Sequence, residues 1–161
     1  MSEPGSSTLL TLRCPRGIDR RSLRAFAAHL GQAVAGGRSF NLLLTDDREL
    51  RRLNRRFLGR DRATDVLSFP SGAAGRAARE SKRVEENAFL GDIAISAQRA
   101  GQQARDLGHP LEDEIRILLL HGLLHLLGMD HVTGRGAMAR AETRWRKTLG
   151  LPVSLTERGR R

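Results

Sequence analysis

A chain of 161 residues suits one domain and buries roughly two-thirds of its unfolded surface, so a proper core is available. Twenty-eight Lys plus Arg against 18 Asp plus Glu leave a net charge of +10, and 39% hydrophobic residues exclude wholesale disorder. The solitary Cys14 excludes an internal disulfide scaffold and a multi-thiolate metal site, and the opening residues lack a secretory signal, which together predict a cytoplasmic protein.

Thr8 to Arg13 reads as a strand ending at Cys14-Pro15, after which Asp19 is placed to cap a helix running to about Val34. Leu23, Phe26, Ala27, Leu30 and Val34 form its apolar stripe, and His29 falls off it. Phe40 to Thr45 is a second strand, and Asp46-Asp47 caps a helix whose apolar face is Leu50, Leu53 and Phe57. Thr64 to Phe69 and Phe89 to Ile95 supply two more strands. Between them, 71–87 has no sustained period and reads as a flexible insertion within a single domain spanning 1–161.

Ser96 caps a helix to Leu107 that Gly108 ends, and a further helix begins near Pro110 with Glu112, Asp113 and Glu114 at its positive end. Its apolar stretch, Ile117 to Met129, falls short of the ~20 residues that a bilayer span needs, so no membrane partner is expected. A last amphipathic helix, about Gly136 to Leu149, turns Met138, Ala141 and Trp145 inward, and a polar tail over 154–161 is expected to fray. The count is about four strands and five helices.

Three of the five histidines lie within 121-HGLLHLLGMDH-131. The first two are four apart, about 40° from each other on one helical face. Gly128 can end that helix in a left-handed conformation, turning the chain back so that His131 approaches the same point. His121, His125 and His131 then form a three-nitrogen set with an open fourth position, the pattern of a catalytic zinc. A shared metal also relieves the desolvation of two imidazoles in a Leu-rich helix. Asp130 either orients a ligand histidine or caps the turn.

The spacing matches the metzincin peptidase motif H-E-x-x-H-x-x-G-x-x-H, but Gly122 stands where those enzymes carry their general base. A peptidase would forfeit a factor of roughly 10² to 10⁴ without it. Phosphodiester cleavage is an alternative chemistry for such a metal.

His121 to His131 resembles the signature HGxLHLxGxDH of the YbeY endoribonucleases, bacterial ribosomal-RNA maturation factors. The segments 53-LNRRFLGRDRATDVLSFP-70 and 90-LGDIAIS-96 resemble two further blocks of that family, in the same order. The resemblance implies an α+β domain with a small mixed sheet and a metzincin-like metal helix. It further implies one zinc on the three histidines and cleavage of single-stranded RNA during 16S ribosomal RNA 3′-end maturation and ribosome quality control, with ribosomal RNA and the small ribosomal subunit as partners. The family usually has an arginine at the position of Leu58; Arg56 and Arg60 flank it and are the candidate catalytic cations here, with Asp130 beside the ligands.

Arg48, Arg51, Arg52, Arg55, Arg56, Arg60 and Arg62 fall within fifteen residues and read as a phosphate track. With 4% aromatics and no Tyr, stacking platforms are scarce, so backbone and shape should dominate recognition. Asp65 and Asp92 are candidate polar walls of the cleft. Two other readings stand beside the nuclease: a ribosome-assembly RNA-binding factor with structural zinc, suggested by Leu58, and a metal-dependent peptidase-type hydrolase.

Overall fold

A computed structural model describes residues 7–71, 89–129 and 136–152. Four strands make one mixed sheet: β1 (Thr8–Thr11), β2 (Ser39–Thr45), β3 (Val66–Pro70) and β4 (Phe89–Ser96), in the order β1-β2-β4-β3. The first three neighbours in that order run parallel, and β3 closes the edge antiparallel to β4. Among the described residues the helices are α1 (Arg20–Ala33), α2 (Asp47–Leu58), α3 (Ala97–Leu107), α4 (Leu111–Leu126) and α5 (Ala137–Leu149). The α+β architecture expected from the sequence is therefore present; the insertion expected over 71–87, apart from residue 71, and the tail at 154–161 lie outside the described residues.

Short polar side chains start three of the helices by accepting a hydrogen bond from a first-turn N–H. Asp19 accepts from Ser22 N at 3.0 Å, Asp46 from Glu49 N at 2.9 Å and Ser96 from Arg99 N at 3.1 Å. α4 is apolar nearly all round because it is the central helix, packed against β3, β4, α1, α3 and α5. Leu118, Leu119, Leu123 and Leu124 are fully buried and join Phe40, Leu42, Leu44, Ile93 and Ile95 in the main core.

Alternation along the strands assigns the two faces of the sheet. Ile93 and Ile95 face α4, whereas Ala94 packs with Leu67 of β3 and Leu50 of α2 on the opposite face. α2 reaches that face through Leu50 and the half-buried Leu53. Phe57, expected inward, is 59% exposed. Only its edge meets Phe69, with ring centroids 5.6 Å apart, while the Arg56 guanidinium lies 5.5 Å from the ring centre. Periodicity gives the phase of a helix but not how far its neighbour extends beneath it, and here the buried contact is made nearer the start of α2.

Candidate metal centre and the cleft beside it

A cleft of about 440 Å³ runs between the edge strand and the C-terminal half of α4. Thr64, Asp65, Val66, Leu67, Ser68 and Pro70 form one wall; His121, His125, Gly128 and Met129 form the other. α4 delivers both histidines because residues four apart share a face. Their Nε2 atoms stand 3.1 Å apart. Two nitrogens bound at 2.0–2.1 Å to a tetrahedral zinc are separated by about 3.3 Å, so the pair fits a shared divalent ion.

His121 is buried, and its Nδ1 lies 3.2 Å from Oε1 of Glu142 on α5. A ring nitrogen facing a carboxylate carries the proton, which leaves the Nε2 lone pair of His121 directed at the cleft. Nothing in the sequence pattern marked Glu142, which sits among the inward residues Met138 and Ala141. Spacing on α5 alone places it on the buried side, but its partner is 21 residues away.

The helix ends as the motif predicted. Leu127 follows the last helical residue, Gly128 adopts φ +88°, and the N–H groups of Gly128 and Met129 donate to the carbonyls of His125 and Leu124 at 2.9 and 3.0 Å. The chain is thereby turned at Gly128, where the sequence places the end of the helix. His131 and Asp130 lie outside the described residues, and among the described residues no group of three or more metal-ligating side chains occurs.

Gly122, the position of the peptidase base, faces the sheet. A Cβ there would stand 2.8 Å from Ile93 Cγ2, 3.2 Å from Ser68 Oγ and 3.3 Å from Val66 Cγ2. Ser68 Oγ also donates to the Gly122 carbonyl at 2.9 Å. There is no room for a glutamate, so the arrangement lacks the peptidase machinery for a steric reason as well as a chemical one.

Asp65 lines the cleft as expected. Its carboxylate accepts from Gln103 Nε2 at 3.1 Å, and its carbonyl accepts from Ser96 N at 2.9 Å. Asp92 does not line it. It is exposed on the α2 face of the sheet, accepting from Asn41 Nδ2 at 3.1 Å, beside an apolar groove that includes Leu10, Leu43, Phe57 and Phe69. Strand parity decides this: Asp92 has the parity of Ala94, not of Ile93.

The arginines gather on α2. Arg48, Arg51, Arg52, Arg55 and Arg56, with Asp61, line an open depression of about 420 Å³. Arg51 binds Asp61 and holds its carboxyl below the usual carboxylate range. Arg52 does the same to Glu49 more strongly than burial opposes it. Among the described residues, Arg48, Arg55, Arg56 and Arg60 make no direct ion pair, although the charge of Arg55 also helps to lower the Asp61 carboxyl. The buried Asn54 fixes the connection from α2 toward the cleft: its side-chain Nδ2 donates to the Arg62 carbonyl at 3.0 Å and its backbone carbonyl accepts from Arg60 N at 3.2 Å. α2 and α4 lie on opposite faces of the sheet, and the chain runs from the depression, through Asp61, to Thr64 and Asp65 at the cleft beside the edge strand β3.

Comparison with known proteins agrees with this architecture. The family model described as Endoribonuclease YbeY matches residues 18–150. An Endoribonuclease YbeY of Solibacter usitatus is 51% identical over 158 residues, covering 98% of each chain. One from Koribacter versatilis is 44% identical over 142 residues, covering 88% of this chain and 85% of its own. The solution structure of TM1509 from Thermotoga maritima is similar with a TM-score of 0.50 and 25% identity, covering 87% of this chain and 93% of that one.

Proposed function

The chain belongs to the YbeY endoribonucleases, RNA-cleaving and metal-dependent hydrolases, and from that premise we propose that it is a zinc enzyme. In this reading it cuts single-stranded RNA in the cytoplasm, during maturation of the 16S ribosomal RNA 3′ end and in ribosome quality control. Its partners are ribosomal RNA and the small ribosomal subunit. The observation that carries the metal assignment is the approach of the two Nε2 atoms to 3.1 Å on the wall of the cleft.

His121, His125 and His131 would hold one zinc per chain, which would supply Lewis acidity toward a phosphoryl oxygen. The protein's own residues do the rest. His121 is fixed in one tautomer by its contact with Glu142. Asp130 orients a ligand histidine. The segment leading into β3 and helix α4 bring Asp65 and the histidines to opposite walls of one cleft, and an unpaired strand is the form of RNA whose bases are open to such a site.

Arg56 and Arg60 supply positive charge for the phosphate backbone and for the negative charge that develops on cleavage. An RNA strand entering over the arginine depression reaches the cleft beside β3, and the connection bearing Arg60 and Arg62 lies on that route. All 161 residues act as one domain in this reading, since a single sheet organises both the arginine surface and the histidine wall.

Cleavage of a single-stranded RNA by the wild type, by His125→Ala and by either protein with chelator tests the proposal. Loss in every sample except the untreated wild type is expected, and equal cleavage throughout would end it. Elemental analysis should return about one zinc per chain, absent from His121→Ala and His131→Ala.

A further inference from the structure

We infer that Glu142 is a positioning residue for the metal, holding His121 so that its Nε2, and not its Nδ1, faces the ion. The inference rests on the reading of His121, His125 and His131 as ligands. Glu142 lies on the inward side of α5 beside Met138 and Ala141 and is 1% exposed. Burying a carboxylate on an apolar helix face is costly unless positive charge and hydrogen bonds compensate it. The imidazole of His121 supplies one such hydrogen bond. An imidazole that shares its Nε2 lone pair with a divalent ion is a stronger donor at Nδ1 and brings net positive charge to the same locus. The 3.2 Å separation between His121 Nδ1 and Glu142 Oε1, together with the Nε2 pair at 3.1 Å, orders the groups as carboxylate, imidazole and ion position. The carboxylate comes from α5 and the imidazole from α4, so metal binding is tied to the docking of these two helices.

Zinc titration against a competing chelator, on wild type and Glu142→Gln, tests this. The amide keeps the shape of the side chain and an accepting oxygen but removes the charge. A zinc affinity 10- to 100-fold weaker in Glu142→Gln is expected, with the unfolding midpoints of the two metal-free proteins within a few degrees. Equal affinity would overturn the assignment to Glu142 while leaving the three ligands in place. Wild type that takes up no zinc would overturn the ligand reading and this inference with it. Should the variant fail to fold, ¹⁵N shifts of His121 in zinc-loaded wild type decide the point: a protonated Nδ1 with metal-bound Nε2 supports it, and a metal-bound Nδ1 refutes it.

Discussion

Ser68 on the edge strand and Gly122 on α4 are joined by a 2.9 Å hydrogen bond from the serine hydroxyl to the glycine carbonyl. The residues are 54 apart in sequence, and the bond fixes the spacing between the two walls of the cleft. The glycine is what permits the approach, because an added Cβ would meet Ile93 Cγ2 at 2.8 Å.

Gly122→Ala is therefore expected to destabilise the protein. Overpacking costs about 1–3 kcal/mol, more than the ~1 kcal/mol an alanine gives back to a helix interior. Ser68→Ala should cost about 1 kcal/mol, mainly by leaving the Gly122 carbonyl without that donor. Urea unfolding of metal-free protein measures both; a Gly122→Ala variant as stable as wild type would mean the sheet and α4 can separate without penalty.

Zinc should stabilise the fold as well as activate it. A ligand at a hundredfold excess over its dissociation constant adds about 2.7 kcal/mol, which for a chain of this size raises the melting temperature by roughly 5–10 °C. The rise should vanish in His125→Ala. An equal rise in that variant would place the ion elsewhere.

What the sequence made legible was local. Asp19, Asp46 and Ser96 announce helix starts because a short acceptor bonds an N–H within its own first turn. His121 and His125 announce a shared face through a spacing of four, and Gly128 announces the turn beyond it. What stayed hidden depends on which surfaces meet. Glu142 shares the inward side of α5 with Met138 and Ala141 by spacing, but its partner His121 is legible only once α5 is docked on α4. Glu114 reads as an acidic first-turn residue suited to the helix dipole, yet it is fully buried and paired with His109. Phe57 shows the reverse error, an apolar residue in phase with Leu50 but left largely in solvent. Asp92 was grouped with Asp65, although its position beside Ile93 fixes it on the other face.

Acid should weaken the attachment of α2. Glu49 is buried and accepts from Arg52 at 3.0–3.1 Å, with Arg13 at 3.3 Å. Its hydrogen bonds to Arg52 hold its carboxyl below the usual range, against the opposing effect of burial. A carboxyl depressed in the folded state contributes stability above its unfolded pKa of about 4.3, and that contribution is lost as pH falls through the folded value. Glu49→Gln should accordingly be about 1 kcal/mol less stable at pH 7, with the gap closing below about pH 4. Denaturant unfolding across that range checks it, and a gap that persisted into acid would show that the loss comes from packing and not from charge.

RNA affinity should separate the arginines by their existing partners. Arg55 and Arg56 are exposed and make no direct ion pair among the described residues, Arg55 acting on Asp61 only through its charge, so each is available to displace counterions from a phosphate. Arg51 is already engaged, its Nε 2.7 Å from Asp61. Arg55→Ala and Arg56→Ala should each reduce the slope of log affinity against log salt by about 0.7 on a single strand, whereas Arg51→Ala should change it less, because a contact by Arg51 first has to break its ion pair. Leu58, 48% exposed at the last turn of α2, marks the end of the same surface. Leu58→Arg adds a cation there and should raise the slope and the cleavage rate together. A steeper slope with unchanged cleavage would show that this turn binds RNA without reaching the scissile phosphate, and would shift the catalytic role to Arg60 on the connection that follows.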